Sequence, residues 1–84
     1  MKPYQVFINE AALNTAPRSG KQRELVMHYL RSLASEPDQR GDFVEKDGAG
    51  RNVQVKIVGR FAITFWVDHP ACEVKVTHIR PADL

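Results

Sequence analysis

The residues with the most chemical potential sit late in the chain. Residues 51–84 hold five cations (Arg51, Lys56, Arg60, Lys75 and Arg80) against three acids (Asp68, Glu73 and Asp83). No acid at all lies between Gly48 and Val67. Cations gathered this way can neutralise phosphates or meet an acidic partner, and an ordinary solvated sheet face carries such charge too. Trp66 stands in the same stretch, where it can stack on a base, anchor a protein interface or pack against its own chain. Of the three histidines, His28 falls on the polar side of a helix and His69 precedes Pro70 at a turn. His78 shares strand parity with Val74 and Val76, which points it inward. Cys72 follows His69 by three residues, the reach of a thiolate–imidazole pair, but no oxyanion-stabilising motif accompanies it.

Composition narrows what these residues can belong to. The chain has 84 residues, net charge +2 and 43% hydrophobic content, values of one small globular domain spanning residues 1–84. Residues 1–50 balance seven cations against seven acids, so the whole excess lies in the second part. The single cysteine excludes an internal disulfide and a cysteine-based zinc site, and no metal or cofactor is expected. No apolar run approaches the ~18 residues of a membrane helix, so no membrane partner is expected. The N-terminal MKPYQVFINE reaches charge early for a signal peptide, and the expected location is the cytoplasm.

The elements that must position these groups are legible from periodicity. Tyr4–Ile8 alternates as a short strand with both faces partly apolar. Asn9 can cap a short helix from Glu10 through Leu13, broken at Thr15-Ala16-Pro17. Ser19 precedes a longer helix over 20–35, with Leu25, Val26, Tyr29, Leu30 and Leu33 on one stripe and Pro37 beyond its end. Asp42–Lys46 reads as a short strand between turns. Three strands follow, over 53–58, 61–67 and 73–79, joined by Val58-Gly59-Arg60 and by Asp68-His69-Pro70-Ala71. The fold class is α+β: an N-terminal strand, one short and one long helix, then a three- to four-stranded antiparallel meander with the helices on one face. Alternation assigns Val53, Val55, Ile57, Phe61, Ile63, Phe65, Val74 and Val76 to the helix-covered face. Gln54, Lys56, Ala62, Thr64, Trp66, Lys75 and Thr77 are assigned to an open, mildly basic face.

The segment GRNVQVKIVGRFAITFWVDHPACEVKVTHIRPAD resembles the C-terminal half of RelE/ParE-type toxins of bacterial type II toxin–antitoxin systems. The long helix with its EPDQRGD tail and the N-terminal strand fit the same pattern. The resemblance implies a toxin of a plasmid-stabilization type, neutralised by a cognate antitoxin that wraps a helix and an extended segment round it. RelE-like members are mRNA interferases that cut RNA on the ribosome without metal, using basic residues and a tyrosine; ParE-like members inhibit DNA gyrase. The implied catalytic cations are Lys56, which matches one lysine of the family's first meander strand, Arg60, which lies two positions before the family's arginine and shares its face by parity, and Arg80, which lies close to the last-strand arginine, where Ala82 is the other match. The open face read from alternation, with Arg51 at its margin, supplies the candidate RNA- or antitoxin-binding set: Arg51, Gln54, Lys56, Thr64, Trp66 and Lys75. Two departures stand out: Gln54 occupies the place of a second lysine, and Ala62 that of an arginine. A non-catalytic binding module of the same fold is the alternative that these departures favour.

Overall fold

The structure, a computed structural model, describes residues 3–83. The chain runs β1 (Gln5–Ile8), α1 (Glu10–Thr15), α2 (Gly20–Ser35), β2 (Phe43–Lys46), β3 (Asn52–Val58), β4 (Phe61–Asp68) and β5 (Glu73–Pro81). The α+β layout is the one expected. The strands form one sheet in the order β1-β5-β4-β3-β2. The last four make an antiparallel meander, and β1 adds parallel to β5, with Val6 opposite Val74 and Ile8 opposite Val76. A parallel neighbour needs a crossover: α1 and α2 carry the chain from β1 to β2 at the opposite edge, and the meander then returns β5 alongside β1. Among the described residues no helix is long and apolar enough to cross a membrane.

Local chemistry explains the start of α1, while at α2 the Ser19 side chain makes no cap hydrogen bond among the described residues. The Asn9 side chain accepts the Ala11 N–H at 2.9 Å, the cap expected of it. In α1, Ala12 is buried, and the Thr15 hydroxyl donates to the Ile79 carbonyl, tying the helix to β5. In α2, Val26, Tyr29, Leu30 and Leu33 form the buried stripe. Leu25 was expected there and is instead 38% exposed, because it lies on the flank of that stripe beside the β3–β4 turn. The stripe packs on Ile63, Phe65, Val74, Val76 and Ile79, all nearly inaccessible. Each such side chain contributes about 1.5–3 kcal/mol on burial.

The faces of β3 correct the sequence expectation. Gly59 and Arg60 form a two-residue turn, and Gly59 has φ +59°, the geometry that such a turn demands of its first residue. Val58 therefore pairs with Phe61, Lys56 with Ile63 and Gln54 with Phe65. Directly paired residues share a face. Gln54 and Lys56 thus lie on the helix side, not beside Trp66. Val53, Val55 and Ile57 lie on the other side with Ala62 and Thr64. Val53 and Val55 are only 3% exposed there; Val55 is flanked by Phe43 and Thr64. Alternation marks Val53 and Val55 as buried, and they are, with Ile57 half-buried, but all three lie on the face the helices do not cover.

A second correction comes from β5. The ladder shifts between Thr64 and Phe65, whose partners are His78 and Val76, so Thr77 is the extra residue of a bulge. Parity flips across it. His78, expected to point inward, is exposed on the open face, and Ile79 takes the buried place.

Among the described residues, Tyr29 is the one polar anomaly of the core. Its hydroxyl has no hydrogen-bond partner among the described residues. Burial first, and the Asp42 carboxylate second, push its phenol up to about 12. A phenol raised in the folded state stabilises the fold below its unfolded value of 10.0, and that contribution is lost as pH rises through about 12. Tyr29→Phe removes an unpaired buried hydroxyl, so urea unfolding at neutral pH should show stability unchanged or raised by about 1 kcal/mol. The same variant should lose less stability than the parent in this alkaline range.

Candidate binding face

The sheet face away from the helices gathers its side chains in three cross-strand rows. Phe43, Val55, Thr64 and His78 form one; Ile57, Ala62 and Arg80 form the next. Toward the other end, Trp66 pairs with Lys75 and Lys75 with Phe7. Thr64, Trp66 and Lys75 share this face as expected, with Arg80 at the far end, but Thr64 is buried between Val55 and His78 and offers a partner no open surface. Gln54 and Lys56 are absent from this face, and Arg60 sits in the turn, its N–H donating to the Gln22 side chain at 2.8 Å. The expected catalytic trio Lys56, Arg60 and Arg80 is divided between the helix side, a turn and the open face, so it does not converge on one substrate atom.

Arg51 reaches the face through the β2–β3 hairpin. Asp47 accepts the backbone N–H groups of Ala49 and Arg51, each at 2.9 Å, and the Arg51 Nε at 2.9 Å. These bonds hold the loop closed and set the guanidinium 3.9 Å from the centre of the Trp66 ring. The geometry is a cation–π contact, worth about 0.5–1 kcal/mol at an exposed site. On the other flank Lys75 Nζ lies 5.5 Å from the Phe7 ring and 3.1 Å from Glu73. Phe7 and Phe43 are both nearly half exposed.

Electrostatics make the face less basic than the sequence implied. Arg51 is paired with Asp47, Lys75 with Glu73 and, on the other side, Lys56 with Asp42 at 3.5 Å. Backbone bonding from Ile57, then Lys56, holds the Asp42 carboxyl below its ordinary value. Arg51 bonding does the same for Asp47. Arg60 and Arg80 make no ion pair among the described residues.

Sequence reasoning missed Phe7, Phe43 and His78. Phe7 carried a weak signal in the two-sided apolar pattern of β1, but the parallel pairing that brings it to Lys75 is non-local. His78 gave none, because the bulge that turns it outward depends on pairing with β4. Elsewhere, His69 is a turn residue as expected, and it also bridges the Tyr4 hydroxyl at 2.8 Å and Asp38 at 3.3 Å. Cys72 gives its backbone N–H to the His69 carbonyl, and no thiol–imidazole bond forms among the described residues.

The lowered Asp47 carboxyl stabilises the closed loop above the ordinary value of 3.8, and that support is lost as pH falls below it. Trp66 fluorescence should therefore change on acidification as Arg51 is released from its anchor. Asp47→Asn should abolish that transition. No family model matches this chain, and neither a curated protein nor a solved structure proves similar to it.

Proposed function

We propose that this chain works by binding a protein on its open sheet face, as a toxin-like component of a bacterial type II toxin–antitoxin module that acts in the cytoplasm and is held by a cognate antitoxin. The observation that carries the reading is Trp66 under the Arg51 guanidinium, with Phe7 and Lys75 alongside. Tryptophan and arginine dominate the energetics of protein interfaces, and a ring already held by a fixed cation loses little freedom when a partner covers it. The module itself rests on the GRFAITFW and EVKVTHIRPAD segments and on the order of the elements. Within that family resemblance, a gyrase-type target needs a binding surface and no catalytic set, which suits cations that are paired or dispersed.

One observation favours a second reading. His78 and Arg80 are both exposed on β5 and share the open face. An imidazole can move the 2′-hydroxyl proton, and a guanidinium can hold the charge of the phosphorane in mRNA cleavage. A ribonuclease of this kind would draw on residues other than Lys56 and Arg60.

Expression with and without the adjacent gene tests the module: growth should stop in the chain's own presence and recover with its neighbour. Trp66→Ala should weaken partner binding at least tenfold, about 1.4 kcal/mol or more, read by calorimetry, with affinity only weakly dependent on salt. Equal affinity of the variant would remove the face from the mechanism. In arrested cells, intact mRNA with inhibited supercoiling supports the gyrase target. Ribosome-dependent cuts abolished by His78→Ala support the second reading instead.

A further inference from the structure

β2 is an edge strand whose four residues are all exposed, with Phe43 and Val44 47% and 55% accessible on opposite faces. Its backbone is half used. Asp47 N–H donates to the Arg51 carbonyl at 2.9 Å, and at the other end Asp42 N–H donates to the Val55 carbonyl at 2.8 Å. Hydrogen-bonded pairs alternate along an antiparallel ladder. The Asp47–Arg51 pair sets that alternation: Phe43, Glu45 and Asp47 turn their backbone groups to β3, and Val44 and Lys46 turn theirs away from the sheet; Asp42, just before the strand, breaks it by spending its N–H on the Val55 carbonyl. Unpaired outward groups on an edge with apolar side chains are a template for another strand.

We infer that β2 pairs with β2 of a second copy, about a two-fold axis normal to the sheet, joining two five-stranded sheets into one. The side chains choose the occupant and the register. With the axis at Val44, each Val44 faces its copy and Phe43 faces Glu45 of the second copy, while the Lys46 ammonium meets the Asp42 carboxylate of the second copy through side chains alone, because the Asp42 N–H is already given to β3. Like charges stay apart and opposite charges meet. Shifting the axis to Glu45 sets two carboxylates face to face and loses the Lys46–Asp42 match. In the favoured register the two Val44 residues exchange both backbone hydrogen bonds at the centre. Asp42 already holds Lys56 at 3.5 Å and the Ile57 N–H at 2.7 Å, so its carboxylate is fixed in place to receive a second cation. The contact uses the edge rather than the Trp66 face, and it does not depend on the function proposed above.

Sedimentation of the full chain from micromolar to millimolar concentration should show a reversible dimer. Val44→Pro deletes an N–H that β3 does not use, so it should lose the dimer and keep the parent far-ultraviolet spectrum. The register is read with single cysteines in a Cys72→Ser background. Val44→Cys places two Cα atoms about 5.5 Å apart, within disulfide reach, and should cross-link at least tenfold faster than Glu45→Cys. These exposed substitutions decide the matter even if the proline variant fails to fold. A chain monomeric throughout, a dimer that survives Val44→Pro in the folded state, or equal cross-linking rates would overturn the inference.

Discussion

The two-residue turn at Gly59–Arg60 governs what this molecule can present. Its length makes Val58 and Phe61 partners, and every later pair between β3 and β4 follows. Even-numbered residues of β3 then share a face with odd-numbered residues of β4. A turn one residue longer would swap the whole set, since strand side chains alternate with period two. The turn is held from outside as well as by its own backbone. Gln22 of α2 accepts the Arg60 N–H, and the same side chain occupies the space that a Cβ at position 59 would need. Helix, turn and strand register are thus coupled at one contact.

From that register follows the division of the cations. Lys56 goes to the helix side, where Asp42 holds it, while Lys75 and Arg80 stay on the open side. The bulge opposite Thr64 and Phe65 then adds His78 to the open face and returns Ile79 to the core. The result is a surface whose strongest feature is aromatic: Trp66 clamped by Arg51, between Phe7 and the Phe43–Val55 row. Its ion pairs are mostly internal. Such pairs contribute little stability when exposed, but they fix where the guanidinium and ammonium groups sit before any partner arrives.

The extent to which this was legible differs by feature. Element order, both helix starts and the strand segments follow from local patterns: Asn9 as a cap, the α2 stripe, and Gly and Pro at the turns. Trp66 and Lys75 could be grouped because β4 and β5 pair regularly on their side of the bulge, and Thr64 because β4 itself alternates without interruption. Gln54 and Lys56 could not be placed, because β3 is apolar at alternate positions on the side the helices do not cover. Val53 and Val55 are buried by cross-strand neighbours, and a buried valine looks the same in sequence whichever layer covers it. Phe7 required the parallel β1–β5 pairing, which joins residues separated by most of the chain.

The sequence by itself therefore determined which segments are helix or strand, the buried stripe of α2 apart from Leu25, and which side chains carry charge, since these depend on spacing within a few residues. Only the tertiary structure decided which face each β3 side chain joins, that His78 turns outward, that Arg51 rests on Trp66 and that β2 is left as an open edge. Those outcomes depend on hydrogen-bond register between distant strands, and register is set by turn length and by a bulge that no local pattern of side chains encodes.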